Sequence, residues 1–347
     1  MARFRTGRVD SITLTRDGIQ HLTVDGEPAY ALTSVIGQVQ VGDAVVMNTT
    51  AVELGLGTGG FHVVHWNLSR SRVDLGGSGH IMKGRYLSEQ MNIEAWEESK
   101  TAKLHRKGDP LPSLAGLTVI VCLLHSHVGL LAAAIRSASR SASTAFVMTD
   151  WASLPLPLSN LVHSFSQLGL IDLTVSTGHS FGGDVEAVSV PSGLDAAAGR
   201  GVDIAIVGPG PGHVGTGTAL GFSAIDAVGV IEVAGALGAR TTCMPRWSST
   251  DKRERHRGFS HHSATVMTLL GRPIPIPVPS GGVGDALTDE LDRLDTPAEP
   301  VVVDDPVDVR AGFDQLGVKV ESMGRNLARD TAALSIAGAT ARWAVLE

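Results

Sequence analysis

The chain has 347 residues, of which 43% are hydrophobic and 18% charged, with a formal net charge of −7 and a mean hydropathy of +0.14. These values exclude a disordered chain, which lacks the apolar surface for a core, and a general nucleic-acid binder, which carries a basic excess. The length favours two domains over one.

From residue 3 to 68, apolar and polar residues alternate in short runs such as GRVDSITL, HLTVDGEPAYALT and GQVQVGDAVVM, separated by DG and GD turns. Period-two runs broken by such turns predict a small antiparallel β-domain or barrel over residues 1–68. Residues 69–113 are polar and contain Pro and Gly, so they read as a connector, with one short helix expected near SEQMNIEAWEESKTAKL. After residue 114 the rhythm changes. LTVIVCLL, TAFVMT, DLTVST, VDIAIVG and RTTCMP alternate with helical segments, including a long one from Thr218 to Leu237. Near-continuous apolar strands separated by helices predict an α/β domain over 114–347, with a doubly wound, mostly parallel, Rossmann-like sheet. PIPIPVP (273–279) is too proline-rich for an interior strand and is expected at an edge or as an extended strap.

Cys122 and Cys243 lie in apolar runs and read as small core residues of a reducing compartment. The N-terminus, MARFRTGRVDSITL, has no apolar signal region. Apolar runs are interrupted before membrane-spanning length. A cytoplasmic protein with no membrane partner is expected, and a homo-oligomer is compatible with the sequence.

In open α/β sheets ligands bind at the carboxyl ends of the strands, and here polar residues follow every strand. His125-Ser126-His127 follows the first, Asp150 the second, and Gly178-His179-Ser180-Phe181-Gly182-Gly183-Asp184 the third. On extended chain His125 and His127 would point the same way, about 6–7 Å apart. Together with Asp150 and His179 they could hold zinc, manganese or iron, with Asp184 or Glu186 as further ligand or base. The structural alternative is that one histidine caps the next helix while the other bonds a carbonyl.

The fourth strand leads into Gly208-Pro209-Gly210-Pro211-Gly212-His213-Val214-Gly215-Thr216. This G-x-G-x-x-G loop could admit a phosphate or nucleotide, with Thr216 or Thr218 capping the following helix. A tightly packed crossover explains the same glycines. After the fifth strand stands Arg246, which could pair with a phosphate. The basic stretch DKRERHRGFSHHS follows, with Arg253, Arg255, His256 and Arg257 clustered and Ser260 able to cap a helix that begins with His261 and His262. A solvated charged loop is the plain alternative. Finally, Gly178-His179-Ser180-Phe181-Gly182 fits a nucleophile elbow and, with later acids and His261 or His262, gives the order of a Ser-Asp-His hydrolase. An elbow needs a helix directly after the serine, and GDVEAVSVP reads as extended chain.

On the strings LLHSHV, FVMTDWASLPLPLS, TGHSFGGDVEAVSVPS, GPGPGHVGTGTALGFS, RHRGFSHHS and VVMNTTAVELGLGTGG, the chain resembles an uncharacterised bacterial family, a domain of unknown function, over nearly its whole length. That resemblance implies no activity. The residues themselves favour an enzyme, hydrolase-like, that binds a small anionic and phosphorylated substrate. Gly208 to Thr216 with Arg246, Arg255 and Arg257 would hold the anion, and His125, His127, Asp150 and His179 would bind metal or serve acid–base chemistry. A non-catalytic nucleotide or metabolite sensor is the competing reading.

Overall fold

The structure is a computed structural model that describes residues 2–56, 59–102, 109–322 and 325–346. The chain divides into two compact units, Met1–Glu94 and Ala95–Glu347.

The first unit holds β1 (Phe4–Arg16), β2 (Ile19–Val24), β3 (Glu27–Leu32), β4 (Ala44–Asn48) and β5 (His62–Asn67), with two single-turn helices, α1 (Thr33–Ile36) and α2 (Thr50–Glu53). The five strands close into a barrel in the order β1-β2-β3-β5-β4. Closure depends on the length of β1. Its first residues, Phe4–Arg8, pair with β4, and Val9–Arg16 pair with β2. Register shifts between Val9 and Ser11 and between Ile12 and Leu14 bend the strand as β-bulges do. Every pair is antiparallel except β3 with β5. Val9, Leu22, Val24, Ala29, Ala31, Val45, Met47 and Val64 fill the interior, which are the inward positions of the period-two pattern. A hairpin of β6 (Ile81–Lys83) and β7 (Met91–Ile93) follows.

The helix expected near SEQMNIEAWEESKTAKL is corrected by that hairpin: Met91–Ile93 is strand, and Trp96–Glu98 forms a 3₁₀ turn. Lys103 and Leu104 of that stretch, like Gly57 and Thr58 of the earlier glycine run, lie outside the described residues. Tertiary contacts override local propensity here. Trp96 Nε1 donates to Asp195 (2.7 Å), and Glu97 accepts from Val188 N–H and the Ser192 hydroxyl.

In the second unit β8 (Thr118–Cys122), β9 (Thr144–Thr149), β10 (Leu173–Ser176), β11 (Val185–Glu186), β12 (Ile204–Pro209) and β13 (Arg240–Met244) form a six-stranded sheet in the order β11-β10-β9-β12-β8-β13. All five pairings are parallel. Every residue of β8, β9 and β12 is buried, which explains their unbroken apolar sequences. Helices α3 (His125–Ala138), α4 (Asn160–Gln167), α5 (Val190–Gly199) and α6 (Ala227–Ala236) connect them. After the sheet come α7 (His261–Thr268), α8 (Gly282–Arg293), α9 (Val309–Leu316) and α10 (Thr331–Val345). Helix α3 packs against α4, α9 and α10, and α5 against α6. Because β8 lies between β12 and β13, the carboxyl ends of these three strands are neighbours.

The helix expected from Thr218 is also shorter. Thr216 Oγ1 bonds Gly221 O (2.8 Å) and Thr218 Oγ1 (2.9 Å), closing a turn, so α6 starts only at Ala227. Threonine hydroxyls compete with helical backbone bonds in this way. PIPIPVP is a strand, β16 (Ile274–Pro279), paired in parallel with β17 (Ala298–Val303); the short hairpin β14 (Trp247–Ser248) with β15 (Gly258–Phe259) precedes it. Successive residues of a strand direct their backbone bonds to opposite sides. Ile274 N–H donates to Pro297 O and Ser280 N–H to Val303 O, so the even-numbered residues serve β17. The prolines fall on the other side, beside β13, where a missing N–H costs nothing and the Thr242 hydroxyl bonds Pro275 O (2.7 Å).

Candidate metal centre

His125 and His127 do not lie on extended chain. They are the first and third residues of α3, and residues two apart on a helix face different ways, which corrects the expectation that they point together. His125 is pinned: Nδ1 bonds Pro209 O (2.9 Å) and Nε2 meets Ser159 Oγ (2.7 Å). A carbonyl can only accept, so Nδ1 carries the proton and Nε2 accepts from the serine hydroxyl. Ser159 also caps α4 by accepting from Val162 N–H. Burial lowers the His125 pKa to about 4. Both ring nitrogens are engaged, and neither is left for a metal.

Asp150, His179, Asp184 and Glu186 knit the loop after β10. Asp150 Oδ2 accepts from His179 N–H (3.0 Å). Asp184 accepts from the amide and hydroxyl of Thr174, and Glu186 from Gly182 N–H and Ser176 Oγ. Ser180 is wholly buried, and its hydroxyl donates towards Thr177 O (2.7 Å) and Met148 O (3.1 Å). No helix follows it; the chain runs instead into β11. The geometry of a nucleophile elbow is absent.

A different set of imidazoles converges. The β14–β15 hairpin folds the basic stretch back on itself. Ser260 caps α7 by accepting from His262 N–H, which places His261 and His262 in its first turn. Among the described residues His256, His261 and His262 form the group whose ligand atoms all lie within 4.8 Å of one another. Their rings stand 4.9 Å (His256–His261), 4.8 Å (His256–His262) and 4.3 Å (His261–His262) apart. His213, from the loop after β12, lies 5.5 Å from His262, and Phe222 stacks on His262 at 4.0 Å. Both ring nitrogens of His262, and Nε2 of His261 and His213, are buried without a hydrogen-bond partner. Such orphaned groups are costly and rare in folded chains.

Neighbouring bonds fix the tautomers. His261 Nδ1 faces Arg255 O (3.1 Å), so Nδ1 carries the proton and Nε2 keeps the lone pair. His256 Nε2 accepts from Arg255 Nε (3.3 Å) and its Nδ1 faces Ser260 Oγ (2.8 Å). Metal-binding histidines are oriented by such partners. Burial first, then neighbouring positive groups, lowers the pKa of His213 to about 4 and of His256 to about 3; His262 falls to about 2 through burial and the adjacent imidazoles. All three are neutral at physiological pH, as ligands must be.

The glycine loop touches this group at one point. A Cβ on Gly215 would sit 2.8 Å from His262 Cε1 and 3.2 Å from Nε2, so glycine makes room for the imidazole. Gly208 packs on Cys122 and Gly210 on Ser153, while Gly212 holds φ +82 in the open. No helix starts at Thr216, so the loop does not present a helix N-terminus.

Beside the imidazoles lies a cluster of arginines. Asp251 Oδ2 receives Arg246 (3.1 Å), Arg253 (2.9 Å) and Arg325 (3.1 Å). Burial opposes ionisation of Asp251, but the bonds and charge of Arg253 and the charge of Arg325 hold its carboxyl below the usual range. Arg246 is buried and lowered to about 10, chiefly by burial. Arg257 Nε reaches Asp251 O (3.4 Å). Asp330 spends its oxygens on Ser248, Ser249, Thr250 and the α10 amide of Ala333. A cavity of about 20 Å³, the size of one water, is lined by Ser126, His127, Arg246, Asp251, Arg325 and Asp330. His127 Nδ1 is buried there without a partner, and burial with the Arg246 charge lowers its pKa to about 3. An open hollow of about 530 Å³ is lined by Arg253, Glu254 and Arg255.

Of the residues singled out in the sequence, the structure brings His213, Gly215, His261 and His262 together with His256. Arg246 and His127 line the adjoining cavity. Sequence reasoning missed Asp251, Arg325 and Asp330. An N-cap pattern, Asp330 before TAAL, could have located the last; nothing local marks Arg325.

A family model described as a protein of unknown function, DUF3866, matches residues 28–341. No curated protein and no solved structure matches.

Proposed function

The chain belongs to the DUF3866 family of proteins of unknown function, and from its site we propose a metal-dependent, hydrolase-like enzyme acting on a small anionic substrate. His256, His261 and His262 would be the ligands, at the carboxyl edge of a sheet read as doubly wound, where such folds take their ligands. One observation carries this: three imidazoles offer ligand atoms within 4.8 Å of one another, and Nε2 of His261 and both ring nitrogens of His262 are buried without a partner. Three imidazoles with no carboxylate suit zinc or iron better than manganese. A metal held there would keep a position for water and would lower that water's pKa to about 7. His213, whose ring stands 5.5 Å from that of His262, would be a fourth imidazole beside the metal position. Three guanidiniums around Asp251 favour an anionic substrate.

Elemental analysis of protein purified without a histidine tag tests the reading. Stoichiometric zinc or iron, lost in His262→Ala and kept in His125→Ala, is expected. Metal-free protein that binds a nucleotide tightly would favour the sensor instead.

A further inference from the structure

We infer that Arg255 couples the binding of a phosphate group to the binding of metal, by covering the ligand lone pair of His256 until an oxyanion draws it away. This rests on the metal-centre reading and adds the substrate class and the order of assembly.

The three imidazoles are not equally ready. His261 Nε2 and both nitrogens of His262 have no partner. His256 Nε2 does, because Arg255 Nε lies 3.3 Å from it. A guanidinium can only donate, so this contact occupies the one lone pair that a neutral imidazole offers, and Nδ1–H turns to Ser260. A metal that takes all three rings must displace Arg255. That side chain is exposed, and it lines the open hollow with Arg253 and Glu254.

The hollow suits a phosphate. Arg253 is fixed by its Nε and Nη2 on Asp251 (3.1 and 2.9 Å), and its Nη1 has no partner among the described residues. The Arg255 terminal nitrogens likewise have none. Two guanidiniums outweigh the single carboxylate of Glu254, and the fork geometry of arginine matches phosphate oxygens. A phosphate bridging Arg253 and Arg255 pulls the latter off His256 and frees the third ligand. By linkage, metal then tightens phosphate by the same factor. Substrate therefore favours assembly of the full centre.

Cobalt titration of the full-length, metal-free protein, followed by visible absorption, tests this with and without inorganic phosphate. Phosphate is expected to tighten cobalt binding on the order of fivefold or more. Arg255→Ala should bind cobalt tightly without phosphate and show no phosphate dependence. Lys252→Ala, which removes equal charge from an exposed position of the same loop, should keep the coupling. An equal phosphate effect in wild type and Arg255→Ala, or none in a wild type that does bind cobalt, overturns the coupling and leaves the metal centre standing. A wild type that binds no cobalt overturns the metal centre itself, and the coupling with it.

Discussion

His125, half-buried, and His262, buried, both stand near the carboxyl edge of one sheet, yet their bonds give them opposite roles. His125 spends both nitrogens on Pro209 and Ser159; His262 spends neither. His125→Ala takes the donor from Pro209 O and the acceptor from the Ser159 hydroxyl, which keeps only its bond from Val162 N–H, at about 1–3 kcal/mol each. It should therefore unfold at lower denaturant while keeping its metal. His262→Ala breaks no hydrogen bond of the ring and should lose metal with a smaller loss of stability. Equal metal content in the two variants would undo the assignment. Asp251 gives a second contrast: its carboxylate joins three guanidiniums, so Asp251→Asn strands positive charge in a buried place. A cost of about 3–5 kcal/mol is expected, visible as a shift in the chemical denaturation midpoint. At this scale the sequence was half legible. Chain position after a strand was enough to point to His213, His261 and His262. It could not show that helix α3 begins at His125, which turns His-x-His from a chelating pair into two diverging rings. Arg325 was invisible because its partner stands 74 positions away.

Elements explain which patterns could be read. Alternation exposed the barrel strands and unbroken apolar runs exposed the sheet, because burial on one face or two dictates composition directly. The strand order was hidden, since β8 enters between β12 and β13 through contacts distant in sequence. That order is what places the loop after β12 beside the loops after β8 and β13. Gly215 shows the consequence. In sequence it completes a phosphate-loop pattern, whereas in the fold its bare Cα accommodates His262. Gly215→Ala should push a ring that Phe222 already clamps, and so weaken metal binding about tenfold or more, the equivalent of about 1.4 kcal/mol. Unchanged cobalt affinity in that variant would return the glycine to a loop role. The proline-rich strand is simpler: its prolines face β13, where Thr242 Oγ1 on Pro275 O substitutes for a ladder bond. Thr242→Val should cost about 1 kcal/mol, measured by denaturant titration, with no effect on metal.

For the whole molecule, the histidines tie stability to pH. The ordinary histidine pKa is 6.5, and folding lowers it to about 3 in His127 and His256 and about 4 in His213. Between those limits the unfolded chain holds protons that the folded chain refuses. Stability is therefore complete above pH 6.5 and drains away as pH falls towards 4. Asp251, whose carboxyl is lowered from an ordinary 3.8, adds its own loss only below that range. Each such histidine costs about 1.4 kcal/mol per pH unit, or roughly 3–6 °C in Tm for a domain of this size. Scanning calorimetry in chelator between pH 8 and 5 should show Tm level at first and then falling steeply. His127→Leu, a change of similar volume in a cavity of about 20 Å³, should make that fall shallower by one histidine's share. Without chelator, zinc should raise Tm by binding the folded chain, a stabilisation of about 2.7 kcal/mol at a hundred times its Kd. A flat Tm across that pH range would mean that these imidazoles are not held neutral inside the fold, and the case for them as ready ligands would fail with it.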